Sequence, residues 1–413
     1  MTLSARRIWD RCEELARLSE ADDGLTRVFL SEEHRKANSM VMSWMRDAGM
    51  NARVDAIGNV AGRYEGAQDG LPCLMLGSHL DTVRDAGKYD GMLGVVAAIE
   101  CVASLSSRGK RTPFAIEVLG FSDEEGVRFN ATLLGSRAVA GRFDASALDR
   151  QDRHGVAMRD ALKSFGLDPQ AIGRAARRRE DIHAYVELHI EQGPVLESEG
   201  LPVGVVTAIN GVTRYAIEVD GTAGHAGTVP MSLRKDALAA AAECVLAVER
   251  RCARDRDLVG TVGKLEALPG AVNVIPGRVR FSIDVRAPED HARATAVADI
   301  VAEMKETFAR RGVAASIDKM HEGATTACAP WIMEQIGAAV AAEGVSVRQL
   351  PSGAGHDGMA MVNVADIGML FVRCAKGVSH NPAEAVTLDD VETGTRVLLR
   401  FIESFRPRPA HAQ

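Results

Sequence analysis

Apolar positions near the start of the chain recur at helical spacing. Four of them follow one another at intervals of three or four residues: Ile8, Cys12, Leu15 and Leu18. This spacing predicts an amphipathic helix. A second amphipathic run begins at Ser31-Glu32-Glu33, which is typical of a helix start, and ends near Gly49. The next segment, NARVDAIGNVAGRYEG, is β-branched and bounded by glycines, so we expect a strand there.

Two short, nearly continuous apolar runs follow, with a helical segment between them. The runs are LPCLMLGSHL and TPFAIEVLGFSD, and the segment between them, MLGVVAAIECVASLSSRG, has helical length and composition. Strands without alternation are typical of a parallel sheet that is covered on both faces. The order strand, helix, strand therefore predicts an α/β domain whose functional residues lie beyond the carboxyl ends of its strands.

The pattern changes at about Thr213. TRYAIEVDG alternates, a helix-like stretch covers 232–250, LVGTVGKLEAL and the alternating VRFSIDVRA follow, and another helix spans roughly 289–311. This order predicts a small α+β domain with helices on one sheet face. Beyond about residue 324, the strand DIGMLFVRC and the helix DDVETGTRVLLRFIESF resemble the first part of the chain again. We therefore expect a discontinuous α/β domain, 1–211 and 325–413, with a mostly parallel mixed sheet and helices on both faces, and an inserted domain, 212–324.

Charge and composition argue against several classes of partner. The 413 residues include 49 Lys and Arg against 56 Asp and Glu, a formal net charge of -7, so neither nucleic acid nor a membrane surface is expected as a partner. Charged residues interrupt the beginning of the chain, and no apolar run of about 18 residues occurs, so we expect a cytoplasmic protein. The seven cysteines are scattered without a C-x-x-C pair, which predicts buried thiols rather than disulfides.

Histidine and acidic residues stand at the ends of the predicted strands. His79 and Asp81 lie in GSHLDTV directly after an apolar run, and Asp90 precedes the next helix. Imidazole nitrogen and carboxylate oxygen that converge from separate segments suit a divalent metal. Asp81 can instead orient the His79 ring through its other nitrogen. For His79 alone, a strand-end histidine bonded to the backbone is the plain structural alternative.

Three later segments carry residues of the same kind. SDEEG contains three adjacent acids, which repel one another unless a cation or arginines neutralise them, and of the pair Glu124 and Glu125 one can ligate metal while the other moves protons. The alternative is a solvated acidic loop with Arg128 as countercharge. His189 in ELHIEQGP lies on one face of an alternating strand and could provide another imidazole ligand. His380 in GVSHNP lies in a loop after an apolar strand, and a turn histidine alone would be unremarkable.

Taken in order, these segments resemble the dinuclear metallopeptidase-like M20 superfamily, in particular its hydantoinase/carbamoylase branch, and within that branch the allantoate amidohydrolases. Eight segments between residues 77 and 384 carry the resemblance: GSHLDTV, KYDGMLGV, SDEEGVRF, ELHIEQGP, HAGTVPM, NVIPG, SGAGHDGM and GVSHNPAE. The resemblance implies that the larger domain is catalytic and that the inserted one is a lid and dimerisation domain.

Two divalent metal ions per chain are implied by this resemblance, with manganese as the first choice and zinc, cobalt or nickel as suitable alternatives. The implied ligands are His79, Asp90 and His189 for the first ion, and Asp90, Glu125 and His380 for the second. Glu124 is implied as the general base, and Asp81 as the residue that orients His79.

Substrate-binding residues are also implied by the resemblance. They are Gln192, His225, Asn273, Arg286, Gly355 and His356, while the role of Asp357 stays open. His225 would stabilise the oxyanion across a dimer, although it could also be a simple hairpin-turn residue. Arg286 lies on the polar face of an alternating strand, where it can clamp a carboxylate or merely pair with Asp284 or Glu218. The glycine-rich turn before His356 could be purely structural.

The implied reaction is hydrolysis of a carbamoyl or ureido C–N bond in a small anionic substrate. Allantoate, with release of ammonia and carbon dioxide, is the first choice, and N-carbamoyl-L-amino-acid hydrolase or β-ureidopropionase activity is the alternative, because these substrates share a carbamoyl group and a carboxylate. A dinuclear peptidase or acylase would not need Gln192, Asn273 and Arg286 together. A non-catalytic metal-binding protein would not need Glu124. We also expect a homodimer formed through the inserted domain.

Overall fold

The structure is a computed structural model that describes residues 3–408. Its helices are α1 Ala5–Ala16, α2 Glu32–Asp47, α3 Met92–Ser107, α4 Leu134–Val139, α5 Met158–Ser164, α6 Val195–Glu199, α7 Ala237–Cys252, α8 Asp290–Arg311, α9 Pro330–Ala342, α10 Gly358–Met361 and α11 Leu388–Ser404. Its strands are β1 Asn51–Val54, β2 Val60–Tyr64, β3 Cys73–His79, β4 Ala115–Phe121, β5 Ile182–Ile190, β6 Val203–Ile209, β7 Gly211–Asp220, β8 Gly224–His225, β9 Val259–Thr261, β10 Leu265–Leu268, β11 Val274–Ile275, β12 Arg278–Ala287, β13 Ala314–Gly323, β14 Thr326–Ala327, β15 Gln349–Ser352 and β16 Ile367–Val372.

Two compact units make up the chain. The larger comprises Met1–Thr207, Cys328–Leu350 and Ala354–Gln413, and the smaller comprises Ala208–Ala327 and Pro351–Gly353. The sequence-based division assigns residues 351–353 to the larger domain. The structure assigns them to the smaller unit, where Asn210 N–H donates to the Ser352 carbonyl and Arg286 Nη1 donates to the Gly353 carbonyl.

The larger unit is built around a mixed sheet with the strand order β1-β2-β4-β3-β5-β16-β6. Its central strands β4, β3, β5 and β16 are parallel, whereas the outer pairs are antiparallel. Every residue of β3, β4 and β16 is buried, which explains why these segments read as continuous apolar runs. Helix α3 packs against β3, β4 and β5. The expected mixed α/β fold is confirmed.

One segment differs from its sequence-based prediction. NARVDAIGNVAGRYEG was expected to be a single strand, but it forms two antiparallel strands, β1 and β2. The turn between them is stabilised by the Asp55 carboxylate, which accepts the backbone N–H groups of Ile57 and Asn59. Gly58 has a φ of 97°, a conformation that glycine adopts without strain. Turn chemistry therefore overrides the β-branched composition of this segment.

The smaller unit contains a sheet with the order β10-β12-β7-β13, to which β9 adds beside β12. Along β12 the apolar side chains of Val279, Phe281, Ile283 and Val285 are buried in one cluster with residues of α7 and α8. The polar side chains lie on the other face, as the alternation predicts. Strand β13 is not foreseen from the sequence, because it is an edge strand with almost wholly exposed residues and no apolar alternation.

No helix within residues 3–408 is long and apolar enough to cross a membrane. All seven cysteines are free and buried, as their scatter predicts.

Candidate active site

Three ligand candidates meet beyond the carboxyl ends of neighbouring parallel strands. His79 is the last residue of β3, His189 lies near the end of β5, and Asp90 stands just before α3. The Nε2 atoms of His79 and His189 lie 3.5 Å and 3.1 Å from the same oxygen, Asp90 Oδ1. All three side chains are almost fully buried. The parallel pairing of β3 and β5 therefore brings together residues that are 110 positions apart in sequence (189 − 79).

The hydrogen bonds of these two histidines fix which ring nitrogen carries the proton when the ring is neutral. His79 Nδ1 lies 2.9 Å from the Asp81 carbonyl oxygen, and His189 Nδ1 lies 2.9 Å from the Ile190 carbonyl oxygen. A carbonyl oxygen can only accept, so each neutral ring carries its proton on Nδ1 and turns an Nε2 lone pair toward Asp90. Lone pairs that face a carboxylate at this distance repel unless a proton or cation lies between them. The donor set thus fits a divalent metal ion.

A second group shares the other oxygen of the same aspartate. His380 Nε2 lies 3.2 Å from Asp90 Oδ2 and 3.4 Å from Glu125 Oε1. His380 has a φ of 53° and a side chain that is 52% exposed, so it is the least enclosed member. The structure assembles the two groups from five separate segments, and they are the sets that the family resemblance implied for two metal ions: His79, Asp90 and His189, and Asp90, Glu125 and His380.

A glycine makes room for the first of these rings. Gly91 follows Asp90 with a φ of 71°, and a Cβ built on it would lie 2.5 Å from atoms of the His79 imidazole. Any other residue would push the ring out of place or move the loop that carries Asp90. The pair Asp90-Gly91 is therefore a single structural requirement of the site.

Glu124 lies beside this centre and is not one of the ligands assigned above. A carboxylate oxygen of Glu124 lies within 4.8 Å of a ring nitrogen of His79 and of a carboxylate oxygen of Glu125. Enclosure by the protein, and then the negative charge of Glu125, raises the pKa of Glu124 well above its ordinary value. The lack of a side chain at Gly355, whose Cβ position would be 3.6 Å from Glu124 Oε1, leaves space next to the carboxylate.

Asp81 acts on the acidic loop more directly than on the imidazole. Its two carboxylate oxygens accept the backbone N–H groups of Glu124 and Glu125 at 2.9 Å and 3.1 Å. The Asp81 carbonyl holds His79 Nδ1, whereas the carboxylate oxygen lies 3.7 Å from that nitrogen. Burial raises the pKa of Asp81 to about 6 although the two amides oppose the shift. His79 is thus bonded to the backbone, as the plain structural alternative expected. Asp81 orients its ring through the main-chain carbonyl, while the Asp81 carboxylate positions the loop of Glu124 and Glu125.

Arg128 does not neutralise the acidic loop. Its guanidinium donates to the Asp152 carboxylate and to the carbonyls of Phe29 and Leu30. The alternative of a solvated loop with Arg128 as its countercharge was wrong, because a nearer carboxylate and two carbonyls engage this arginine.

Other predicted residues of the larger unit surround the same histidines. Gln192 Nε2 donates to Asp90 Oδ2 at 3.1 Å and to Ser379 Oγ at 3.0 Å, so its amide contacts the aspartate that both candidate groups share. The buried His356 ring packs on the His189 ring, with 4.5 Å between centroids. Burial lowers the pKa of His356 well below its usual value, so this imidazole is neutral. Burial also raises the pKa of the adjacent Asp357 well above its usual value.

The three remaining predicted residues belong to the smaller unit. His225 and Asn273 lie on paired segments, since Ala226 N–H donates to the Asn273 carbonyl beside the β8–β11 pair. His225 is exposed, and its Nδ1 accepts Gly227 N–H, so the neutral ring has its proton on Nε2. Arg286 donates twice to the Asp284 carboxylate and once to the Gly353 carbonyl. These contacts use three of its five N–H donors and leave two for a ligand.

Two residues that the sequence reasoning missed also contact the site. Glu384 accepts the backbone N–H of Asp90, and Ser379 donates to Glu384. Their place in GVSHNPAE, next to the ligand candidate His380, is the only signal in the sequence that could have pointed to them.

Known proteins match this chain over almost its whole length. Residues 75–404 match peptidase family M20/M25/M40. The chain is 42% identical over 402 residues to an N-carbamoyl-L-amino acid amidohydrolase of Geobacillus stearothermophilus, which covers 97% of this chain and 98% of that protein. It is 41% identical over 426 residues to a probable allantoate deiminase of Oryza sativa subsp. japonica, covering 95% and 87%. The crystal structure of a hydantoinase/carbamoylase family amidase from Burkholderia multivorans matches with a TM-score of 0.91 at 33% identity, covering 97% and 98%.

Proposed function

The chain belongs to peptidase family M20/M25/M40, and from this membership and the site geometry we propose that it hydrolyses a carbamoyl or ureido C–N bond in a small anionic substrate. The observation that carries the proposal is the convergence of three imidazoles and Glu125 on Asp90, with Glu124 beside them. Such an arrangement suits hydrolysis because it provides both a cation site and a base.

The proposed ligands are the two groups that share Asp90: His79 and His189 with Oδ1, and Glu125 and His380 with Oδ2. Two divalent cations bound there would polarise the scissile carbonyl and acidify the attacking water. Manganese is our first choice, and zinc, cobalt and nickel also suit mixed imidazole and carboxylate ligation.

Glu124 is the proposed general base. Its carboxylate takes a proton from the attacking water and delivers it to the leaving nitrogen, so one residue serves both halves of the reaction. Asp81 keeps Glu124 in place through the backbone N–H of that residue.

The smaller unit is proposed to bind the anionic end of the substrate. Arg286 has two N–H donors left for a carboxylate, and Gln192, Asn273, Gly355 and His356 are proposed to line the same substrate. The Nε2–H of His225 is the proposed donor to the oxyanion that develops in the transition state. We further propose that the smaller unit is a lid and dimerisation domain, so that His225 serves the site of the partner chain.

Allantoate is our first choice of substrate, with ammonia and carbon dioxide as products. The 41% identity to the rice allantoate deiminase supports it. An N-carbamoyl-L-amino acid is the second candidate, favoured by the 42% identity to the Geobacillus enzyme. These identities do not separate the candidates, and N-carbamoyl-β-alanine is the third.

The test compares manganese-loaded protein on allantoate, N-carbamoyl-L-amino acids and N-carbamoyl-β-alanine, with the rate of ammonia release as the readout. The proposal expects the highest kcat/KM on allantoate. Turnover of N-carbamoyl-amino acids alone would contradict the allantoate assignment and leave the carbamoyl hydrolase, whereas no turnover of any of the three would contradict the reaction itself. Glu124→Gln protein is the control, because it must lose whichever activity is found if this site performs it.

A further inference from the structure

Glu384 is a buried carboxylate that is neither a proposed metal ligand nor the proposed base. It nevertheless forms hydrogen bonds with the backbone of the segment that carries Asp90. It is 4% exposed. Its Oε1 accepts the backbone N–H groups of Tyr89 at 2.9 Å and of Asp90 at 3.0 Å. Two charge-assisted hydrogen bonds from consecutive amides fix the backbone that presents the Asp90 side chain.

The other oxygen of Glu384 reaches the segment that carries the late histidine. Ser379, immediately before His380, donates its hydroxyl to Glu384 Oε2 at 2.7 Å. The same hydroxyl oxygen accepts Gln192 Nε2–H at 3.0 Å and lies 3.4 Å from Asp90 Oδ2. Glu384 thus joins, through its two oxygens, two segments that are about 290 residues apart in sequence.

The space for this carboxylate is provided by a glycine. A Cβ built on Gly87 would lie 2.2–2.3 Å from Glu384 side-chain atoms, which is closer than non-bonded atoms can approach. Gly87 has no positive φ, so close approach, and not backbone conformation, explains the glycine at this position.

His380 needs such a restraint more than the other ligand candidates do. It follows no strand directly, it has a φ of 53°, and its side chain is half-exposed. His79 and His189, by contrast, are buried on or beside β-strands and bonded to neighbouring carbonyls. The segment of His380 is tied to the Asp90 segment through Ser379 and Glu384.

We propose that Glu384 is a positioning residue that holds Asp90 and His380 in register, so that the affinity for the second metal ion depends on it. The inference rests on the proposed metal centre. Glu384 takes no part in bond breaking; its carboxylate acts through the backbone of Asp90 and the hydroxyl of Ser379. Removing a group that holds metal ligands in place typically weakens metal affinity by about 10- to 100-fold.

The experiment measures manganese binding to metal-free protein by calorimetry. Glu384→Ala removes the carboxylate, and Gly87→Ala displaces it by steric clash while leaving every proposed ligand in the sequence. Both should weaken one of the two manganese sites by about 10- to 100-fold and leave the other within a few fold. Glu384→Gln should stay near the wild type, because its amide oxygen can still accept both backbone N–H groups and its amide nitrogen can donate to Ser379. At saturating manganese, kcat should recover largely in all three.

Asp152→Ala is the matched control. Asp152 is also an enclosed carboxylate that accepts two backbone N–H groups, from His154 and Val156, and it contacts none of the proposed ligands. It should lower the thermal unfolding midpoint without changing either manganese constant. Wild-type constants in both Glu384→Ala and Gly87→Ala, or an equal loss in Asp152→Ala, would overturn the inference. If the wild-type protein bound no manganese, the proposed metal centre itself would fail, and the inference would fail with it.

Discussion

The substitution Glu124→Gln separates the proposed base from the proposed ligands. Gln has the shape of Glu but cannot take a proton at neutral pH. The backbone N–H of residue 124, which donates to Asp81, is unchanged. General-base catalysis typically contributes about 10²- to 10⁴-fold in rate. At about 1.4 kcal/mol for each factor of ten, the barrier should rise by about 3–5 kcal/mol.

The same substitution should lower the rate of reaction but leave the metal-free protein as stable as the wild type or more stable. Burial and the charge of Glu125 raise the pKa of Glu124 in the folded state. A carboxyl group whose pKa is raised on folding contributes stability while it is protonated, and that contribution is lost as pH rises from its unfolded pKa through its folded pKa. Gln stays neutral throughout. Metal-free Glu124→Gln protein should therefore unfold at a temperature equal to or higher than the wild type, with the larger difference at alkaline pH.

Three measurements test these expectations for Glu124→Gln: ammonia release with saturating substrate, manganese stoichiometry by calorimetry, and thermal unfolding of metal-free protein across pH. Glu117→Gln is the matched control, since Glu117 is a buried carboxylate of β4 that pairs with Arg177 and contacts none of the site residues. It should lower stability and leave the rate unchanged. Near-normal turnover in Glu124→Gln protein, or loss of turnover together with both metal ions, would refute the reasoning.

Three further outcomes are expected. Manganese binding at pH 7 should release protons and strengthen with rising pH, because hydrogen bonds to two carboxylates raise the pKa of His380 to about 10, and calorimetry in buffers of different ionisation heat checks this. Gly91→Ala should abolish tight manganese binding, because the added Cβ would clash with the His79 imidazole. Gly109→Ala, which has a similar positive φ but open space around it, should cost only about 1–2 kcal/mol of stability in a denaturant titration. Mixing His225→Ala with Glu124→Gln protein should restore part of the activity if sites are shared between chains, and exchanged heterodimers without recovered turnover would argue against sharing.

Much of the geometry of the proposed metal centre was accessible from the sequence because it follows strand topology. Apolar runs predicted β3, and the residues directly after such runs, His79 and Asp81, lie where parallel strands end. The comparisons confirm the family resemblance stated from eight segments. Hydrophobic periodicity and the ends of strands are local features, so they can be recognised in a single sequence.

Other features depend on contacts that no local pattern reveals. Nothing near Glu384 indicates that it accepts the N–H groups of Tyr89 and Asp90, because those residues are almost 300 positions away. The exposed edge strand β13 has no apolar alternation to detect. Arg128 was considered as a countercharge because it is close to the acidic residues in sequence, but it donates to Asp152, 24 residues away in sequence, and to two backbone carbonyls.

The hydrogen bonds of His79 and His189 have a consequence for how the site tolerates mutation. In many metal sites a side-chain carboxylate holds the second ring nitrogen, and one substitution can release it. Here both rings are held by main-chain carbonyls, of Asp81 and Ile190. A carbonyl is present whatever residue occupies the position, so drift at Asp81 or Ile190 leaves the ring protonation intact. The orientation of these two rings is thus independent of the side chains at positions 81 and 190, so the proposed first metal position depends on its ligands and on Gly91 and tolerates change at those two neighbours.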